Sequence, residues 1–357
     1  MLGLTAAVRV LLALVLSGFA VACAHAQGIR VELRDSISGG PVVGALVSAA
    51  DTSGRTRADG LSNERGVVTL RLPAPGTWVL SVRRIGLTPR RVSGVRVGEG
   101  EWIGLALAVT GIRQLLPTVR VTADAGTCGR APSGDDRTAT LWEQISLALR
   151  ASAISREDTV GQQTLLIVER VRELTESLEE RSARVTRNGY GSGRPYSAIH
   201  PDTLAARGYV RRESDGDFSF FAPDEVVLLS DAFLSTHCFD TPTQDEDPSL
   251  AELRFRPVRG RALPDVEGTA FVDTLSGELR RIEFRFVETR RVLPGNAKYA
   301  GGDVALLRLS NGQWIVTSWA IRMPIFRRIG RQGLIIVAGY REVGGTVDPV
   351  EQRPPDD

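Results

Sequence analysis

The chain has almost no lysine, little histidine, few cysteines and few aromatic residues, and each shortage excludes something. Of its 44 basic residues among 357, only Lys298 is a lysine. The basic residues are nearly matched by 42 acidic ones, for a formal net charge of +2, and arginine alternates with aspartate and glutamate throughout. A nucleic-acid reader gathers a basic excess on one face, so that class is set aside. There are three histidines, His25, His200 and His237, far apart and without an H-x-x-E around the last two. A catalytic zinc site needs His and Glu ligands plus a Glu base, so a zinc hydrolase is set aside too, and no cofactor is expected. Aromatic residues make up 6%, the C-terminus Arg353-Pro-Pro-Asp-Asp357 is polar, and segments such as Arg281-Ile-Glu283-Phe-Arg285 carry charge on their outward face. A lipid-facing strand avoids such charge, which argues against an integral membrane barrel.

What is present begins with an export signal. Arg9 precedes an apolar core from Val10 to Cys23, and Ala24-His25-Ala26 supplies an A-x-A cleavage site. A core of about a dozen apolar residues is too short for the ~20-residue span of a membrane helix. Residues 1–26 are thus expected to be a signal peptide cleaved after Ala26. Ala20-Val-Ala-Cys23 is a loose lipobox, and lipidation at Cys23 is the alternative. Cleavage at Ala26 leaves Cys128 and Cys238. An even count in an exported chain favours a disulfide over two free thiols.

From Ile29 to Val109 short runs alternate apolar and polar: Ile29-Val31-Leu33, Val43-Ala45-Val47-Ala49, Val68-Leu70-Leu72, Trp78-Leu80-Val82 and Ile103-Leu105-Leu107-Val109. Period two means one buried and one wet face. Turn clusters separate the runs, among them Ser38-Gly-Gly-Pro41, Asp51-Thr-Ser-Gly54, Asn63-Glu-Arg-Gly66 and Pro73-Ala-Pro-Gly76. Short strands at this spacing without helices predict a sandwich.

The motifs of this stretch resemble those of a known family. Residues 39–47, GGPVVGALV, are similar to the G-x-P-x-x-G-A-x-V stretch of carboxypeptidase regulatory-like, transthyretin-related domains. Asn63–Gly66 with Val68-Thr-Leu70 resembles their D-x-x-G hairpin. Leu72 to Val82 resembles L-P-P-G-x-Y-x-L-x-V, with Trp78 in place of Tyr, and Arg84 to Pro89 resembles the G-Y-x-P turn, with Leu87 in place of the aromatic. The resemblance implies a seven-stranded Ig/transthyretin-like β-sandwich over residues 27–123. Leu115 to Ala123 is similar to the segment that follows such modules in TonB-dependent receptors, but about 234 residues remain, too few for a plug and 22-stranded barrel.

Residues 124–140 read as a linker. Thr140-Leu-Trp-Glu143 is a capping box, opening a helix with Leu141, Ile145 and Leu149 on one stripe and an end near Ser152. Pro223-Asp-Glu225 starts a second short helix, to about Phe233. Strands are expected over 165–175, 182–187, 267–272, 279–288, 304–309, 313–320 and 333–343. Asn311-Gly312 is the strongest hairpin signal. The fold class is mainly β: the sandwich, then a curved antiparallel sheet over 141–346 with one or two short helices, then a disordered tail over 347–357. Leu253-Arg-Phe-Arg-Pro257, residues 266–273 and residues 277–284 resemble the hairpins of lipoprotein-carrier half-barrels. That resemblance implies an acyl-binding cavity lined by Ile282, Phe284, Phe286, Leu306 and Val316.

Other constellations read as structural. His237-Cys238 are adjacent on a strand and point to opposite faces, so they do not form a nucleophile and its base. Asp202, Asp215, Asp217, Asp231 and Asp240 are loop or flanking acids without spacing that fixes a catalytic pair. Asp245-Glu-Asp247 lacks the spacing of a calcium loop. Arg280, Arg281 and Arg285 have Glu278, Glu283 and Glu288 as partners across a solvated face. Arg327-Arg328-Ile-Gly-Arg331 is the one local basic patch without nearby acids, suited to lipid headgroups or lipopolysaccharide phosphates, although a solvated surface patch is the commoner reading of such a run.

These features lead to the expectation of a non-catalytic, exported binding or scaffolding protein of the periplasm or outer membrane, with a lipid or an outer-membrane protein as partner. An adhesion or assembly module is one alternative, and a hydrolase using loop carboxylates is another.

Overall fold

The computed structural model describes residues 27–111, 127–133, 137–157, 165–191, 196–330 and 334–349. The segment expected to be a signal peptide, with Ala26 and Cys23, lies outside them. The first unit contains β1 (Gln27–Asp35), β2 (Leu46–Ala50), β3 (Thr56–Leu61), β4 (Val67–Leu72), β5 (Gly76–Arg83), β6 (Arg90–Val97) and β7 (Trp102–Val109). They form two facing sheets, β4-β1-β7 and β3-β2-β5-β6. β1 runs parallel to β7 and antiparallel to β4. Alternation dictates the core: Ile29, Val31 and Leu33 from one sheet meet Val47, Ala49, Leu80 and Val82 from the other, all nearly or wholly buried. Each large aliphatic side chain removed from water contributes about 1.5–3 kcal/mol. Strands β3 and β6 carry little apolar alternation, because TRADGL is half-exposed and the start of β6 is arginine-rich. Their places are set by pairing with β2 and β5.

The second unit begins with β8 (Thr127–Cys128), α1 (Arg137–Glu157), β9 (Leu165–Leu174), β10 (Glu180–Gly191), α2 (Pro201–Arg207), β11 (Val210–Arg212) and β12 (Phe218–Phe220). It continues with α3 (Glu225–Leu228), α4 (Asp231–Thr236), β13 (His237–Asp240), β14 (Leu250–Pro257), β15 (Asp265–Asp273), β16 (Leu279–Val287), β17 (Gly301–Arg308), β18 (Trp314–Ile329) and β19 (Leu334–Pro349). Ten of these strands form one antiparallel sheet in the order β10-β9-β19-β18-β17-β16-β15-β14-β13-β8. From β13 to β19 the sheet is a meander; β9 and β10 join its far end. Its two edges do not pair with each other, so the sheet is open. One face carries the helices and the core.

The helices depart from the sequence-based expectation. Helix α1 runs past Ser152 to Glu157 because Ala151, Ser152 and Ser155 continue the buried stripe of Leu141, Ile145 and Leu149. The Ser155 hydroxyl donates to Ala151 O and accepts from Trp314 N, which holds the last turn on β18. The helix also starts at Arg137, so the last residues of the expected linker are helical, and Cys128 belongs to a strand. The expected helix over 223–233 is two helices. Asp224 accepts from Val227 N and caps α3, while Ser230, in extended conformation, accepts from Phe233 N and caps α4. The short α2, with Pro201 in its first turn and His200 at its N-cap, was not anticipated. Strand β19 extends through Pro349, so residues 347–349 are not part of a tail.

The two units are docked. Leu61 and Ile85 of the sandwich pack into the core of the second unit. Arg150 of α1 bonds Asp59 of β3 at 2.9 Å. Arg84 is placed near Glu278 and Arg308, and burial, then Arg308, lowers its pKa. The joint encloses a cavity of about 20 Å³ between Leu46, Arg84, Ile85, Ala148 and Trp314, room for one water at most.

Candidate functional site

The apolar set on the covered face is a packed core. Ile282, Phe284, Phe286 and Leu306 are each 5% exposed, and Val316 is half-buried beside them. Phe286 meets Phe220 at 5.3 Å and Phe284 at 5.7 Å between ring centres. Four of the five, all but Phe286, line a cavity of about 20 Å³ with Leu149, Tyr196 and Leu228. That space suits a single water, not an acyl chain. The helix α1 and the 196–236 segment occupy the position where the half-barrel resemblance implied a ligand. The cavity wall also holds an Arg156–Glu225 ion pair, and Tyr196 Oη donates to Pro223 O. Burial raises the Tyr196 pKa, as it does that of Tyr209.

The bare face of the same sheet holds the larger concavities. One, of about 710 Å³, is lined by Arg254, Arg256, Glu267, Arg281, Glu283, Arg285, Asp303 and Arg322 with the backbone-rich positions Gly268 and Gly302. A second, of about 510 Å³, lies across β9, β10, β18 and β19 and shares Asp303. Together they make a trough across the sheet. Its charges come from alternation: in β16 the residues Arg281, Glu283 and Arg285 point out while Ile282, Phe284 and Phe286 point in. Bulges at Phe271/Val272, Ala305/Leu306 and Val185/Arg187 bend the participating strands.

Register places the charges in rows. Thr269, Glu283, Asp303 and Ala320 are successive cross-strand partners. Glu283 and Asp303 therefore face each other directly, a like-charge arrangement that destabilises a sheet. Burial is the main cause of a raised Asp303 pKa; Arg322 opposes it, and Glu342 and Glu283 reinforce it. The neighbouring row brings Arg322, Glu342 and Arg172 together. Glu342 is 3% exposed and pairs with Arg172, while Arg322 lies 3.6 Å from Glu342 and 3.7 Å from Asp303. Arg281 bonds Glu283 at 2.8 Å, and Arg285 pairs with Glu267. The lining of the larger concavity carries five arginines against three carboxylates.

The remaining sequence candidates are structural. Cys128 and Cys238 are joined by a disulfide and face each other in the β8–β13 ladder. His237 points away from Cys238 into the core. Its Nδ1 is 3.0 Å from Phe233 O and its Nε2 is 3.1 Å from Val266 O and 3.3 Å from Asp265 Oδ1. Arg261 pairs with Asp265 and donates to Ala205 O at 2.7 Å. This cluster ties α2, α4, β13 and β15 together. Asp202, Asp215, Asp217 and Asp231 are exposed, and Asp240 pairs with Arg256. Asp245 pairs with Arg137, and Asp247 accepts from Ser249 in a turn. Among the described residues no group of three or more His, Cys, Asp or Glu could hold a metal ion. None of their helices is long and apolar enough to cross a membrane. Sequence reasoning noted Arg281, Glu283 and Arg285 but missed Asp303, Arg322 and Glu342, because only the strand register aligns them.

Residues 28–110 match the carboxypeptidase regulatory-like domain. The match covers the sandwich and less than half of the chain. No curated protein matches the chain. Among solved structures, the chain is similar to a 5-hydroxyisourate hydrolase from Klebsiella pneumoniae, with 18% identity, 24% of this chain and 91% of that one covered, and a TM-score of 0.20. It is also similar to a DUF1329 family protein from Desulfovibrio piger, with 6% identity, 59% and 95% coverage, and a TM-score of 0.24. A 9R-lipoxygenase from Cyanothece shares 9% identity over 74% of this chain and 42% of that one, with a TM-score of 0.22. Likenesses this slight carry no functional argument.

Proposed function

We propose that the protein is an exported, non-catalytic binding or scaffolding protein of the cell envelope. Its ligand lies in the charged trough on the bare face of the ten-stranded sheet, and the regulatory-like sandwich braces that sheet. The observation that carries this reading is the contrast between the faces. Among the described residues the cavity beneath the helices on the covered face holds about 20 Å³, walled by the apolar core and a buried Arg156–Glu225 pair, and the bare face opens into about 710 Å³ lined by arginines and carboxylates. Pockets with convergent polar groups fix a ligand's orientation, and a row of arginine–carboxylate pairs suits a polar, hydroxyl-rich ligand whose own anionic groups can compete for the guanidinium groups, such as an acidic glycan. Titration calorimetry with oligogalacturonate tests it. The expected result is salt-sensitive binding that Arg256→Glu with Arg285→Glu abolishes. Binding unaffected by both substitutions would place the ligand elsewhere.

A second reading rests on Glu283 and Asp303. Two facing carboxylates, one with a raised pKa, are the kind of pair that divides acid and base roles in hydrolysis. These are sheet residues, in place of the loop carboxylates that the sequence suggested. A glycoside-hydrolase activity lost in Asp303→Asn, with binding retained, would support it over the non-catalytic reading.

A further inference from the structure

The ribbon at the end of β18 and β19 outruns its sheet. Pairing of β18 with β17 stops at Arg322, and pairing of β19 with β9 starts at Tyr340. Residues 325–329 and 334–339 therefore pair only with each other. At ~3.3 Å per residue this free length is about 20 Å. One side of the ribbon is occupied: Phe326 packs edge-on against Phe218 at 5.5 Å, and Gly295 sits beside Phe326 and Val337. The other side, by strand alternation, carries Ile325, Arg327 and Ile329 from β18 and Leu334 and Ile336 from β19. Ile329 faces Leu334 and Arg327 faces Ile336 across the strands. Leu334 is 62% exposed, Ile329 40% and Ile325 37%.

The charge on this ribbon differs from that of the trough. Arginines in the trough are met by carboxylates, whereas Arg327 and Arg328 are exposed and have no carboxylate partner among the described residues. A row of exposed aliphatic side chains flanked by uncompensated arginines marks an interaction surface. Its chemistry fits a bilayer interface: aliphatic groups enter the acyl boundary while guanidinium groups bond phosphates. The unpaired backbone edges of the ribbon remain at headgroup depth, where water satisfies them.

We propose that this ribbon docks the protein on an anionic lipid surface through Ile329, Leu334 and Arg327, with Arg328 on the opposite side of the strand adding to the local positive charge. The inference is independent of what the trough holds. Its test is co-sedimentation of the intact protein with vesicles of phosphatidylcholine containing roughly a third phosphatidylglycerol, against pure phosphatidylcholine. Binding to the anionic vesicles is expected. Arg327→Glu with Arg328→Glu lowers it on the order of tenfold or more, since each basic residue near such a surface contributes about fivefold. Ile329→Ser with Leu334→Ser lowers it as well, with the unfolding midpoint unchanged. Should a pair of substitutions unfold the protein, Leu334→Cys carrying an environment-sensitive dye supplies the reading, as a blue shift on anionic vesicles alone. Equal binding to both vesicle types, wild-type binding by the variants, or a dye unmoved by lipid overturns the proposal. So does self-association that Leu334→Ser abolishes while vesicles have no effect, which would assign the ribbon to a second copy of the chain. Loss of vesicle binding with oligogalacturonate binding retained separates this surface from the trough.

Discussion

Gly44 of the sandwich and Gly312 of the β17–β18 hairpin meet backbone to backbone. A Cβ on Gly44 would lie 2.8 Å from the Gly312 Cα, and one on Gly312 would lie 2.5 Å from the Gly44 Cα. Both have positive φ, +70° and +88°. Neither position tolerates a side chain without strain in its own backbone and displacement of its partner. Gly44→Ala or Gly312→Ala is expected to cost at least about 2 kcal/mol in urea unfolding, combining backbone strain and overpacking. Because the two residues touch, the double substitution should cost less than the sum. Loss confined to the sandwich would show that the units do not stabilise each other.

The Cys128–Cys238 disulfide closes a separation of 110 residues. In the chain-entropy model such a loop is worth about 4–5 kcal/mol. Reduction, or Cys128→Ala with Cys238→Ala, should lower the denaturation midpoint and free the β8 edge of the sheet. Hydrogen exchange over β13 and β14 provides the local readout. An unchanged midpoint after complete reduction would contradict this role.

His237 and Asp265 are both fully buried. Removing the imidazole takes a buried donor from the Val266 O–Asp265 side of the cluster, while Phe233 O keeps the Thr236 hydroxyl and Asp265 keeps Val266 N and Arg261, and an unpaired buried group costs about 1–3 kcal/mol. His237→Ala is expected to destabilise by about 3 kcal/mol or more. Thermal unfolding checks it. Retained stability would show that water satisfies the site.

Asp303 sets a pH dependence. Its folded pKa is raised, chiefly by burial, so the native state holds a proton that the unfolded chain has released. Stability therefore falls as pH rises from the ordinary carboxylate range through the raised value, and stays lowered at neutral pH. Asp303→Asn should remove this fall, gaining stability at pH near 7 relative to wild type but not at pH near 3.5. Midpoints measured across that range decide it. A loss at pH near 7 that is absent at pH near 3.5 would show instead that Arg322 depends on the carboxylate.

The strands with clean alternation were legible in sequence because burial on one face dictates period two. Val68–Leu72 and Leu279–Val287 are examples. The Asn311-Gly312 turn was legible too, but not that Gly312 would contact Gly44, since such a contact depends on how two separately folded surfaces meet. Strands β3 and β6 were hidden because partner strands, not their own apolar pattern, hold them. The trough was hidden for a related reason: Glu283, Asp303, Arg322 and Glu342 come from four strands, and only the register unites them. The apolar quintet from Ile282 to Val316 lies on the covered face, within the core. Sequence could not show that α1 and the 196–236 segment fill the space above it.

The central claim is that the ligand lies on the charged face and not inside the sheet. Native mass spectrometry of the protein purified gently from its own cells tests this most directly. The account predicts an interior free of acyl lipid, with any bound species released as salt is raised. A stoichiometric acyl lipid that survives high salt, and is lost in Phe284→Ala but not in Arg285→Glu, would contradict it.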